Sequence, residues 1–206
     1  FQYVRERIDR KHWRAASADA VTEIGLDTFF HLDEERLYAT AESLEADLKA
    51  RKLWRAGGRR IALLTSVPGP FNSNRDHLDS LIRALMARGH NVFPLAAAGE
   101  RFSRLQSINP DAVIYMPHGR VTLTEAEPLQ RWLAEKNIPV FAPLSVFQPH
   151  EKWLANPQGM DGAMLTMNVV LPELDGATAP FVINAQFPDA EGWQVFAPIN
   201  PRQQKF

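Results

Sequence analysis

Between Arg59 and Pro143 the sequence alternates short apolar runs with amphipathic stretches, and few folds accept that rhythm. The runs are Ile61-Ala62-Leu63-Leu64, Val92-Phe93-Pro94-Leu95, Ala112-Val113-Ile114-Tyr115-Met116 and Val140-Phe141-Ala142, the last ended by Pro143. Each is too short for a helix and apolar at consecutive positions, as strands covered on both faces are. Three helical stretches separate them. Residues 75–88 carry Leu78, Leu81, Ile82 and Leu85 on one side, with Gly89 as the stop. A short helix covers Arg101–Ser107, and Glu125–Lys136 turns Leu129, Trp132 and Leu133 inward. Parallel strands need a crossover, and a helix supplies it. The rhythm predicts an open doubly wound, mainly parallel α/β sheet flanked by helices, Rossmann-like or flavodoxin-like, with four or more strands.

Three segments follow from this. Residues 1–56 form a helical and irregular lead-in, 57–147 the parallel α/β unit, and 148–206 a helix and turn that lead into a further part of a longer protein. Residues 1–20 suit a helix with Tyr3, Val4, Ile8 and Trp13 among charges, and 21–38 read as irregular. Residues 40–53 read as a helix that Thr40 or Ser43 could cap, with Leu44, Leu48 and Leu53 inside and Gly57-Gly58 beyond its end. The chain starts at Phe1 in a charged pattern and stops at Phe206, which reads as an excerpt of a longer polypeptide.

Composition narrows the function classes. A net charge of -1 and no basic stripe argue against a nucleic-acid partner. There is no cysteine, hence no disulfide, thiolate metal site or Cys nucleophile. No run approaches the ~20 apolar residues that span a bilayer. A cytoplasmic setting is the expectation.

In a doubly wound sheet, ligands sit outside the carboxyl ends of the strands. The loop Thr65–Asn74 lacks G-x-G-x-x-G spacing, and two prolines remove backbone donors, which argues against a phosphate cradle. Asn74, Arg75 and His77 could reach a ligand's carboxylates from there, although Ser73 or Asn74 could equally cap the next helix. His118 follows the third strand and His150 the fourth, so both fall at the predicted ligand edge, where imidazole can ligate a metal or move a proton. No H-x-x-x-H spacing accompanies them. The mostly apolar run from Ala163 to Leu171 delivers two carboxylates, Glu173 and Asp175, between Pro172 and Gly176. If this stretch is extended, both acids share a face and can bind a divalent cation or accept protons. The other reading is a tight turn in which Asp175 bonds its own backbone.

Trp153-Leu154-Ala155-Asn156-Pro157-Gln158-Gly159, followed by Met167-Asn168-Val169-Val170-Leu171-Pro172-Glu173-Leu174-Asp175-Gly176, resembles the large subunits of class I chelatases, the cobaltochelatase and magnesium-chelatase large subunits. The order upstream is similar too, from the strand near Ile61 through Ala87-Arg88-Gly89 and Asn91–Leu95 to Ile138-Pro139-Val140 and Ser145. The resemblance spans about residues 20–187, and Leu-Pro-Glu-x-Asp-Gly is its most specific part. Two departures stand out: no His follows the first strand, and Asn156 stands where many relatives have Ser.

The resemblance implies a tetrapyrrole substrate and insertion of a divalent metal (cobalt, magnesium or iron). It also implies ATP hydrolysis by separate AAA-type partner subunits rather than by this segment. It maps a catalytic Glu onto Glu173, as proton acceptor or metal relay. His118, by its place after the third strand, is a further candidate metal contact, and His118 and His150 are candidates for an axial contact or for one that acts through a metal ligand. Asn74, Arg75, His118, His150 and Asp175 are the candidate substrate contacts. Three other readings stay open. They are a haem-demetallating relative, a non-catalytic module holding a tetrapyrrole or small ligand, and a structural domain in which the carboxylates serve only the turn.

Overall fold

A computed structural model describes residues 27–32, 36–65, 75–97, 99–122, 124–200 and 202. The expected helix over residues 1–20 and most of the loop Thr65–Asn74, Asn74 included, lie outside the described residues.

Among the described residues eight strands form one sheet: β1 (Asp27–Phe30), β2 (Leu37–Tyr38), β3 (Arg60–Thr65), β4 (Asn91–Ala97), β5 (Ala112–Tyr115), β6 (Val140–Pro149), β7 (Ala177–Pro188) and β8 (Gln194–Pro198). Their order across the sheet is β2-β1-β4-β3-β5-β6-β7-β8. The five central strands, β4 to β7 with β3 between β4 and β5, pair in parallel. β1, β2 and β8 add antiparallel margins. The doubly wound expectation holds, and the antiparallel margins are additions to it. The sheet draws strands from all three expected segments. Residues 21–38, read as irregular, contain β1 and β2, which are too short to show a period.

Helices follow the predicted spacing closely. α1 (Ala41–Ala50) is capped by Thr40, whose side chain takes the Ser43 N–H at 3.1 Å while the Ser43 hydroxyl takes the Thr40 N–H at 3.3 Å. α2 (Asp76–Ala87), α3 (Arg101–Ile108) and α4 (Ala126–Glu135) are the crossovers. Alternation along β3 decides the two faces. Ala62 and Leu64 pack with α1, α3 and α4, whereas Leu63 packs with Leu78 and Ile82 of α2. Among the described residues one face therefore carries α1, α3 and α4, and α2 covers the β1–β4–β3 part of the other.

Two segments differ from expectation. β6 does not end at Pro143 but continues to Pro149, because β7 accompanies it after β5 has stopped, with register shifts that absorb the proline. This extension, with β8 and α5 (His150–Ala155), has its own core around Leu144, Val146, Trp153, Val182 and Ala185. The stretch before Asp175 is not extended. It is a helical rod of α6 (Gly162–Leu165), a π-helical turn (Thr166–Val170) and α7 (Leu171–Leu174). Asp161 caps it by accepting the Met164 N–H at 2.8 Å, and Gly176 at φ +82° follows Asp175, after which β7 begins.

Candidate functional site

Successive connections change direction between β3 and β5: β3 leads to β4 on one side, and β4 leads back to β5 on the other. At such a switch point two strand ends diverge and leave a crevice. The loop after β5, Met116 to Arg120, leaves the carboxyl end of β5 beside this switch point, so His118 is where the sequence placed it.

Several bonds hold this loop. The Gly119 N–H donates to the Met167 carbonyl at 2.7 Å. The Tyr115 hydroxyl takes a bond from Arg101 Nη1 at 3.1 Å and lies within donating distance of the carbonyls of Arg120 (2.8 Å) and His118 (3.1 Å). Burial pushes the Tyr115 phenol up to about 12, so it keeps its proton for this task. The His118 ring lies with Nδ1 2.5 Å from Asn168 Oδ1. Asn168 is itself buried, and its Nδ2 donates to the Met164 carbonyl at 2.9 Å. The edge of Phe147 closes the ring's flank at 4.4 Å, and Phe196 packs behind Phe147 at 4.9 Å. The π-helical turn thus presents one carbonyl and one amide to the loop, an irregularity of the kind that accompanies functional sites.

His150 begins α5 and stacks on Phe187 with ring centres 4.5 Å apart. It belongs to the strand extension, against different aromatic neighbours from those of His118. Glu173 is exposed on α7, about 7.5 Å along the rod from Asn168 at 1.5 Å per residue. It borders a cavity of about 450 Å³ with Gln130, Ile138, Val140 and Gly176, at the amino ends of β6 and β7. Glu173 and His118 are therefore not brought together, and among the described residues no three His, Asp or Glu side chains converge as a metal cluster.

Two expected substrate contacts are buried and paired within the fold. Asp175 is 1% exposed. Its Oδ1 takes Arg120 Nε at 2.9 Å and Nη2 at 2.5 Å, and its Oδ2 takes the Val121 N–H at 2.7 Å. Helical geometry, which turns residues two apart to different sides, is why it parts company with Glu173. Arg75 is 3% exposed, paired with Asp79 at 2.7 Å and bonded to the His31 carbonyl at 2.7 Å, so it ties α2 to β1. Both are internal fastenings.

Sequence reasoning missed Asn168, Arg120 and Phe147. Asn168 did leave a signal, as the lone amide in the run Met167–Leu171. A second cavity, about 470 Å³, opens on the sheet face beside α2 between Ile114, Phe141, Phe181 and Asn184. β7 carries an extra residue there, since Leu144 faces Val182 while Ser145 faces Asn184. The bulge turns Ile183 and Asn184 toward the same cavity. Asn184 is 1% exposed, and neither side-chain polar atom has a partner among the described residues.

Comparison with known proteins agrees with this architecture. The catalytic subunit of cobaltochelatase from Mycobacterium tuberculosis is similar over 98% of this chain, with a TM-score of 0.60 and 18% identity. The aerobic cobaltochelatase subunit CobN of Pseudomonas aeruginosa is 28% identical over 144 residues, 67% of this chain. The chain spans 16% of the first protein's length, and the match covers 11% of the second. The family described as CobN/Magnesium Chelatase matches residues 1–206, and the chain belongs to that family.

Proposed function

We propose that this chain is part of the large, tetrapyrrole-binding subunit of an ATP-dependent metal chelatase, and that its β3–β5 crevice forms one wall of the macrocycle's seat. The observation that carries the reading is His118, fixed by Asn168 at the switch point of a domain whose family is that of chelatases. Phe147 and Phe196 supply aromatic surface beside it, as a flat conjugated ring requires. The metal, cobalt or magnesium, is the substrate, and ATP is hydrolysed on AAA-type partner subunits. Glu173 has no ion pair among the described residues and can accept a proton from a pyrrole N–H or pass on the metal. This carboxylate is on the cavity at the amino ends of the strands, so the macrocycle or the parent subunit must reach round the rod to meet it.

The test uses the full-length subunit with its ATPase partners, following metal insertion by the change in tetrapyrrole absorbance. Glu173→Gln is expected to abolish turnover with tetrapyrrole binding intact. Full turnover by that variant removes Glu173 from the chemistry, and no tetrapyrrole binding by the wild-type subunit sinks the reading itself.

A further inference from the structure

We propose that His118 is an axial ligand for the metal once it is inside the macrocycle, that Asn168 positions it for this, and that His118 does not bind the free ion. The inference rests on the chelatase reading above.

The tautomer comes first. Asn168 Nδ2 is used on the Met164 carbonyl, so Oδ1 faces the imidazole. An amide oxygen only accepts, hence His118 Nδ1 carries the proton and donates it. This assignment follows from the hydrogen-bond network. In the neutral ring Nε2 then holds the lone pair, and no described group bonds to it. An imidazole whose far nitrogen donates to an oxygen is the arrangement that orients metal-ligating histidines. Phe147 fixes the ring plane from the side.

Ligand counting then separates the two metal species. A bare divalent ion of this size is held by three or four protein donors. Among the described residues no such set forms. A metal within a tetrapyrrole already has four ring nitrogens and lacks only an axial donor. One imidazole suffices for the product, whereas the bare ion needs further donors that the described residues do not supply. The bond is dative: the Nε2 lone pair enters an empty metal position, no proton leaves Nε2, and nothing is oxidised or reduced.

Zinc(II) protoporphyrin and metal-free protoporphyrin, each titrated into the full-length subunit and followed at the Soret band, test this. The wild type is expected to prefer the zinc form by about tenfold, with the red shift of axial nitrogen ligation. His118→Ala should remove the preference and the shift, bringing the two affinities together. Asn168→Leu should weaken the zinc form by about tenfold, and two-dimensional ¹H–¹⁵N spectra should show its His118 losing the single tautomer. Asn168→Asp keeps an acceptor oxygen and should restore both, which a merely structural role for Asn168 would not produce. A zinc preference that survives His118→Ala overturns the axial assignment and leaves the chelatase reading standing. So does cobalt(II) chloride binding that His118→Ala abolishes. No binding of either porphyrin overturns both together.

Discussion

Arg120 sets two nitrogens against one oxygen of Asp175, 55 residues away, while the backbone N–H of Val121 takes the other. The pair ties the loop after β5 to the turn before β7. Asp175 is fully buried, so removing its charge leaves Arg120 and an N–H uncompensated. Asp175→Asn is expected to cost about 3 kcal/mol, read as a lowered urea midpoint. Glu173→Gln, two residues away but exposed, should stay within about 0.5 kcal/mol. Equal losses would mean that both acids serve the fold alike.

A histidine that the site does not use is expected to contribute to acid stability. His31 is 0% exposed, and burial, aided by Arg51 and Arg75, lowers its pKa from 6.5 to about 4, with Asp47 and Asp79 opposing. The unfolded chain takes up a proton below 6.5 that the folded chain refuses until about 4. The contribution is thus whole above 6.5 and is lost as pH falls toward 4, on the order of 3 kcal/mol. Urea midpoints between pH 7 and 4 should fall steeply for the wild type. The fall should be shallower for His31→Phe; parallel profiles would dismiss the histidine as the cause.

Gly119 has φ +76°, and a Cβ there would stand 3.4 Å from Met167 Cε. Gly119→Ala should cost about 1–2 kcal/mol from the backbone conformation. It should also loosen the His118–Asn168 bond, seen as a broadened imidazole resonance. An unchanged melting temperature would show that the loop adapts freely.

Asn184 faces the cavity beside α2 with its amide unpartnered by described residues. An unsatisfied buried amide costs about 1–3 kcal/mol. Asn184→Leu, close in volume, is therefore expected to raise the urea midpoint of the chain. A clear loss would reveal a hydrogen-bond partner for the amide.

The strand–helix rhythm made most of the fold legible, because a buried parallel strand must be apolar at every position and its crossover must be amphipathic. The margins were not, since β1, β2 and β8 owe their form to pairing with neighbours distant in sequence. Pro143 misled in a similar way: whether a proline ends a strand depends on register with a partner still 38 residues off. At the site, His118 followed from its place after β5. Asp175 and Glu173 did not separate by spacing, because the period of the stretch is helical and an apolar run of that length fits strand or helix. Asn168 needed the tertiary partner that alone gives it meaning.

The aromatic pair Phe141 and Phe181, 39% and 44% exposed, sits on the sheet face that α2 leaves bare. Handled in isolation, a chain with so greasy a seam will tend to cling to itself and to dyes, rising in light scattering with concentration. Phe141→Ser with Phe181→Ser is the background on which any porphyrin titration of the His118 crevice is cleanly read.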